Sequence, residues 1–204
     1  MEASPVNIIF FEDDQFSKLL PLTYWRQVGA LKCGTCSLAQ RGINVIGPSS
    51  VGFYVRPEMV AICQQNSDYS VNGAVKGATL FINSRFLITE KIKIPTENSV
   101  MMCGDQVAAI WCDKELSSSL TAEYFLTKGR LPEMAEILPS STIAGQMINY
   151  PWDLIKYNGE MITSDFQAMT PVTPDVYIEA GALVNRAQIA IHPTAIIKPS
   201  VVLD

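Results

Sequence analysis

Lys18, Arg26, Lys32 and Arg85 are the basic residues whose positions could let them clamp a phosphate, and Asp13, Asp14 and Asp153 are acids that could hold a divalent ion beside it. Each has a plainer reading too. A cation can be a solvated surface charge or half of a structural ion pair, and Asp153, which follows Pro151-Trp152, can cap the segment it opens. A second suggestive spacing is Cys33-Gly34-Thr35-Cys36. A C-x-x-C pair can be redox-active or supply half of a zinc site. There is no second C-x-x-C, and Cys63, Cys103 and Cys112 are scattered, so packed cysteines are the expectation.

Composition narrows the field. A chain of 204 residues, 48% of them apolar, can bury a sizeable core and suits one full domain plus a smaller appendage. A net charge of −5 argues against a nucleic-acid platform, which needs clustered Lys and Arg. A small phosphorylated ligand is still admissible, since a few local cations and backbone amides suffice to hold one. No apolar run approaches the ~18 residues of a membrane span. The opening MEASPVN lacks the basic start of a signal peptide, and five cysteines, an odd number, give no disulfide framework. These features predict a cytoplasmic, reduced protein with no nucleic-acid and no membrane partner.

The elements that must position those charges follow from pattern. Residues 7–12 (NIIFFE) read as a buried strand running into Glu12-Asp13-Asp14. A helix is expected over 27–41, a strand over 43–48, and a helix over 55–65 with Pro57 in its first turn. Strands are expected at 78–83 and 107–112, and a helix over 115–128 with the Ser117–Ser119 cluster as its cap. Alternating strands and helices predict an α/β domain, Rossmann-like, with a mainly parallel sheet. Ligands in such sheets sit beyond the carboxyl ends of the strands, which places Glu12–Lys18 and Asn83–Arg85 at the site. After the stiff linker TPVTP (170–174), aliphatic residues recur every six positions from Ile178 to Leu203, with one extra residue, Ala190, before Ile191. That is the hexapeptide pattern of a left-handed parallel β-helix. The expected division is 1–170 for the α/β domain and 171–204 for the linker and repeat. One and a half coils cannot bury their own apolar face, so more repeat is expected after Asp204 or from other chains, as a homo-oligomer and a trimer if the repeat is complete. His192 occupies an outward-facing slot of its hexapeptide.

The run Ser17-Lys18-Leu19-Leu20-Pro21-Leu22-Thr23 resembles the second half of the entry motif of sugar-phosphate nucleotidyltransferases, Thr-Arg-Leu-x-Pro-Leu-Thr. The order of domains is similar to that of bifunctional N-acetylglucosamine-1-phosphate uridylyltransferase. A divergent branch of the group carries LLPLT with a following Arg, then Asn-Gly/Ala-Arg in mid-chain, then Pro-Trp-Asp before the repeats. Here these stand as Leu19–Thr23 with Arg26, Asn83-Ser84-Arg85, and Pro151-Trp152-Asp153. The resemblance implies transfer from a nucleoside triphosphate to a sugar 1-phosphate, with Mg²⁺. It implies catalytic roles for Lys18 and Arg26, substrate contacts from Asp13, Thr23, Lys32, Asn83 and Arg85, and metal contacts from Asp14 and Asp153.

The sequence departs from that pattern at three places. It has no G-x-G, and Glu12-Asp13-Asp14-Gln15-Phe16 fills the loop where glycines let backbone amides approach phosphates. Val28 stands where relatives carry a lysine, and Asn83 lies where relatives carry a metal-binding Asp. Carboxylates in that loop are expected to repel a triphosphate unless a metal intervenes. Together the three losses are expected to cost several kcal/mol of transition-state stabilisation. Two further roles therefore stand beside the enzyme: a catalytically degenerate domain that binds sugar nucleotide, and a cap on a hexapeptide-repeat acyltransferase.

Overall fold

The computed structural model describes residues 7–47, 50–168, 182–183, 189–191 and 194–203. In chain order the elements are β1 (Asn7–Phe11), β2 (Lys32–Cys33), β3 (Cys36–Ser37), α1 (Leu38–Ile46), β4 (Ser50–Tyr54), α2 (Val60–Asn66), β5 (Ser70–Val71) and β6 (Thr79–Asn83). There follow β7 (Phe86–Ile88), β8 (Ser99–Cys103), β9 (Gln106–Cys112), α3 (Lys114–Ser119), α4 (Ala122–Leu126), α5 (Arg130–Ile137), β10 (Ser140–Thr142), β11 (Gly145–Met147), α6 (Pro151–Ala168), β12 (Ala182–Leu183) and β13 (Val202–Leu203). Seven strands form one sheet in the order β10-β8-β9-β6-β1-β4-β5. All run the same way except β9, which pairs antiparallel with both β6 and β8. The mainly parallel α/β reading is therefore correct for the domain.

The sheet has a core on each face. Along β1 the side chains alternate, so Ile8 and Phe10 join one cluster while Ile9 and Phe11 join the other. Both clusters require β1 and β6 to be apolar throughout, which is why these two strands were visible as continuous apolar runs. α1 covers the first face, and Gly42 lets it approach. A Cβ on Gly42 would lie 2.8 Å from two ring carbons of Phe10 and 3.0 Å from Ile88 Cδ1. Gly42→Ala is expected to destabilise the domain by about 1–3 kcal/mol through overpacking, read as a lowered chemical-denaturation midpoint with an unchanged slope.

Three expectations need correction. The helix predicted over 27–41 is a 3₁₀ turn at Val28–Ala30 followed by the β2–β3 hairpin, with Gly34 at φ 82° in its turn. The true helix, α1, starts after Ser37, whose hydroxyl accepts from Gln40 N at 3.2 Å. The strand predicted over 43–48 is the second half of α1. Ile43 and Ile46 continue the apolar stripe of Leu38, Ala39 and Gly42 at helical spacing, and Gly47 at φ 93° ends it. The helix predicted over 115–128 is split at Leu120 into α3, capped by Asp113, and α4, capped by Thr121. The repeat expected over 178–204 falls largely outside the described residues. What is described there is a parallel pairing of Ala182–Leu183 with Val202–Leu203.

The hairpin docks on α6. Gly34 N donates to Asn158 Oδ1 at 2.8 Å, and both the amide and the hydroxyl of Thr35 donate to Asp165 Oδ2 at 2.8 Å. Arg41 Nη1 pairs with Asp165 Oδ1 at 2.7 Å. Cys33 and Cys36 face each other across the hairpin as free thiols, and burial pushes both pKa values up, so neither is primed as a thiolate. Burial alone would raise the Asp165 pKa, but the bonds from Arg41 and Thr35 outweigh it and hold the carboxyl below its ordinary value. A carboxyl depressed in the folded state adds stability above its unfolded pKa and loses it as pH falls through the folded one. Hydrogen exchange of Gly34 and Thr35 is therefore expected to accelerate, beyond its intrinsic pH dependence, below about pH 4, with Asp165→Asn abolishing that acid step.

Candidate functional site

The carboxyl edge of the sheet is built on the two acids that end β1. Glu12 is fully buried. Its Oε1 accepts from Val28 N at 2.8 Å and from Arg56 Nη1 at 2.5 Å, and its Oε2 accepts from Arg56 N at 3.0 Å. The same arginine donates through Nη2 to the carbonyls of Thr23 and Arg26 and covers the Phe16 ring, 4.7 Å from its centroid. Glu12 and Arg56 thus fasten both ends of the Thr23–Val28 loop to the sheet. Val28, whose amide serves Glu12, has its side chain fully buried in the cluster that holds Leu19 and Leu31.

Asp13 is the centre of a second network. Arg85 Nε donates to its Oδ1 at 2.9 Å and Nη2 donates to Oδ2 at 2.6 Å, a bidentate pair that is buried on both sides. Asn83 Nδ2 donates to Asp13 Oδ2 at 2.8 Å, while Asn83 Oδ1 accepts from Arg85 N at 3.0 Å. Arg85 Nη1 then reaches Gln106 Oε1 at 3.1 Å and Asn149 Oδ1 at 2.6 Å, tying the β8–β9 turn and the approach to α6 to the end of β6. The expected repulsion between the loop acids and a triphosphate is removed for two of the three residues. Glu12 and Asp13 are each neutralised by a buried arginine.

Over this network lies a cleft of ≈ 560 Å³ lined by Asp13, Asp14, Gln15, Lys18 and Arg85 from the first half of the domain. Its other wall includes Asp105, Gln106, Lys128, Gly129, Asn149 and Tyr150. Of the residues expected at the site, Asp13, Asp14, Lys18 and Arg85 are brought together here. Asn83 lies beneath them and supports Asp13. Thr23 is buried, and its hydroxyl donates to Phe16 O at 3.3 Å, so it holds the loop. Arg26 is exposed on that loop, Lys32 is exposed on β2, and neither lines the cleft. Asp153 Oδ2 accepts from Asn149 N at 2.8 Å and Tyr150 N at 2.9 Å, which makes it the capping acid of α6. Asp105, Lys128, Asn149 and Tyr150 were not singled out from sequence. Two of them sit beside glycines with positive φ (Gly104 at 63°, Gly129 at 89°), the one local signal that marked their turns.

The donor set can be tested against Mg²⁺. Both Asp13 oxygens are taken up by Arg85 and Asn83, so Asp13 has little left to offer a metal. Among the described residues no cluster of three or more His, Cys, Asp or Glu side chains forms a ready cage. Mg²⁺ on a nucleotide usually needs only one or two protein carboxylates beside the phosphates. Among the described residues, Asp14 and Asp105 are carboxylates that line the cleft and make no salt bridge.

The α/β domain thus carries, at the carboxyl edge of its mainly parallel sheet, a cleft that includes Lys18 and Lys128, at the edge where ligands sit in open sheets of this kind. The chain belongs to the sugar nucleotidyl transferase family, whose model matches residues 8–172. A comparison with curated protein sequences finds no match. Among solved structures, a provisionally named glucose-1-phosphate thymidylyltransferase from Bacillus anthracis, determined in complex with sucrose, superposes with a TM-score of 0.49. It covers 78% of this chain and 96% of that one at 10% identity.

Proposed function

We propose that the chain transfers a nucleotidyl group from a nucleoside triphosphate to a sugar 1-phosphate in this cleft. A phosphate oxygen of the sugar 1-phosphate forms a bond to the α-phosphorus, the bond from that phosphorus to the bridging oxygen breaks, and pyrophosphate leaves with the electron pair. The observation that carries this reading is the placement of Lys18 and Lys128 around a cleft in which Asp13 is already neutralised by Arg85. Neither lysine makes a salt bridge among the described residues, and Arg85 fixes Gln106 and Asn149, which line the same cleft. Mg²⁺ would be held by Asp14 and Asp105 and would supply charge neutralisation on the phosphates. The setting we propose for the reaction is cytoplasmic.

The test is Mg²⁺-dependent pyrophosphate release across nucleoside triphosphates and hexose or hexosamine 1-phosphates. Turnover is expected with at least one pair, and Lys18→Ala is expected to lower kcat/KM by about 100-fold, the effect of losing one aligned donor. One observation favours a second reading, a binding domain without turnover. The loop that holds phosphates in relatives with glycines is here a 3₁₀ helix, Asp14–Leu19, pinned by Asp13 and without a single glycine. Thermal stabilisation by nucleotide with no pyrophosphate release would select that reading.

A further inference from the structure

Tyr150 and Trp152 form a nearly coplanar stack at the edge of the cleft, with ring centroids 4.6 Å apart and an interplanar angle of 11°. Tyr150 lines the cleft and is 40% exposed; Trp152 is 61% exposed. Large aromatic rings left open to water are not there for the core. Their backbone is also held with unusual care. Asp153 accepts from the amides of both Asn149 and Tyr150, and the Asn149 side chain is fixed by Arg85. The same Arg85 is locked to Asp13 at the end of β1. The Tyr150 backbone is therefore fixed by bonds that lead through Asp153, Asn149 and Arg85 to Asp13, which lines the same cleft as Lys18.

We infer that Tyr150, backed by Trp152, is the stacking platform for the nucleobase of the nucleoside triphosphate. The inference rests on the proposed function and extends it to base recognition. A planar base extends a stack that is already planar, and every base offers a π-face, so this platform secures nucleotide over bare polyphosphate without choosing among bases. Trp152 covers one face of Tyr150, and Tyr150 itself lines the cleft. Tyr150 acts in binding and takes no part in bond making.

The experiment is calorimetric titration of the whole chain with a nucleoside triphosphate, with inorganic tripolyphosphate, and with a hexose 1-phosphate. Wild type is expected to bind the nucleotide more tightly than tripolyphosphate. Tyr150→Ala is expected to weaken nucleotide binding by about 10-fold while leaving tripolyphosphate unchanged, and Tyr150→Phe is expected to retain it. Tyr150→Leu, which keeps apolar bulk without a π-face, should behave as Tyr150→Ala and guards against a loss caused by misfolding. Nucleotide is also expected to shift Trp152 fluorescence, a signal that Trp152→Phe should remove. Unchanged nucleotide affinity in Tyr150→Ala and Tyr150→Leu overturns the platform and leaves the proposed function standing. A loss confined to hexose 1-phosphate assigns the ring to the sugar and overturns the base assignment. Absence of nucleotide binding by wild type overturns both readings together.

Discussion

Replacing Arg85 by methionine is expected to destabilise the domain by about 3–5 kcal/mol, because it leaves the Asp13 carboxylate buried without its counter-charge. For a domain of this size that is a fall in melting temperature of roughly 6–20 °C. The cost arises from the orphaned partner and not from the bridge as such, and this distinction is measurable. Asp13→Leu combined with Arg85→Met removes both charges and is expected to recover most of the stability, since a buried pair exchanged for apolar side chains of similar volume is close to neutral. Asn83 keeps a partner in that double variant, for its Nδ2 also donates to Val107 O at 3.2 Å. Nucleotide binding is expected to stay low in the double variant, because Asn149 and Gln106 lose the guanidinium that aligns them. Full recovery of stability without binding would separate the structural share of Arg85 from its share in the cleft. An Arg85→Met variant that melts within about 2 °C of wild type would refute the buried pair as drawn.

What sequence could and could not reveal follows from how far apart interacting residues lie. β1, β6 and β9 were legible because a strand buried on both faces must be apolar at every position, and a run such as Ile8-Ile9-Phe10-Phe11 has few other uses. The acids after β1 were legible as residues at the carboxyl end of a strand, but their partners were not. The loop carboxylates read as repulsion until Arg56 and Arg85, 44 residues after Glu12 and 72 after Asp13, are seen to neutralise these two. Nothing local announces such a pairing. The 27–41 segment misled for the opposite reason. Its apolar residues do recur at helical spacing, but a hairpin is chosen there because Arg41, Asn158 and Asp165 satisfy its turn, and two of these lie on α6. The far wall of the cleft was likewise invisible. Asp105, Lys128 and Tyr150 come from three turns that only the crossing of the sheet brings to one place.

Loss of Arg56 is expected to be as costly as loss of Arg85 and to act on a different part of the site. Glu12 has no solvent exposure, and its side chain depends on Arg56 for a charged partner, so Arg56→Met strands a carboxylate at the end of the central strand for about 3–5 kcal/mol. The carbonyls of Thr23 and Arg26 lose their donor at the same time. The segment between Asp14 and Leu31, which carries Lys18, would then be tethered by the Val28 amide and Leu19 packing. Hydrogen exchange should accelerate most at Thr23–Val28, ahead of β6 and β9, which distinguishes local release from general unfolding. Arg56→Lys is expected to restore less than half of the loss, because one ammonium cannot span Glu12, Thr23 and Arg26 together. Turnover should fall further than stability alone explains, since Lys18 is placed by the loop that Arg56 fastens. If Arg56→Met left exchange at Thr23–Val28 unchanged, the glycine-free loop would owe its shape to its own 3₁₀ turn, and Glu12 would be only a buried charge with a partner.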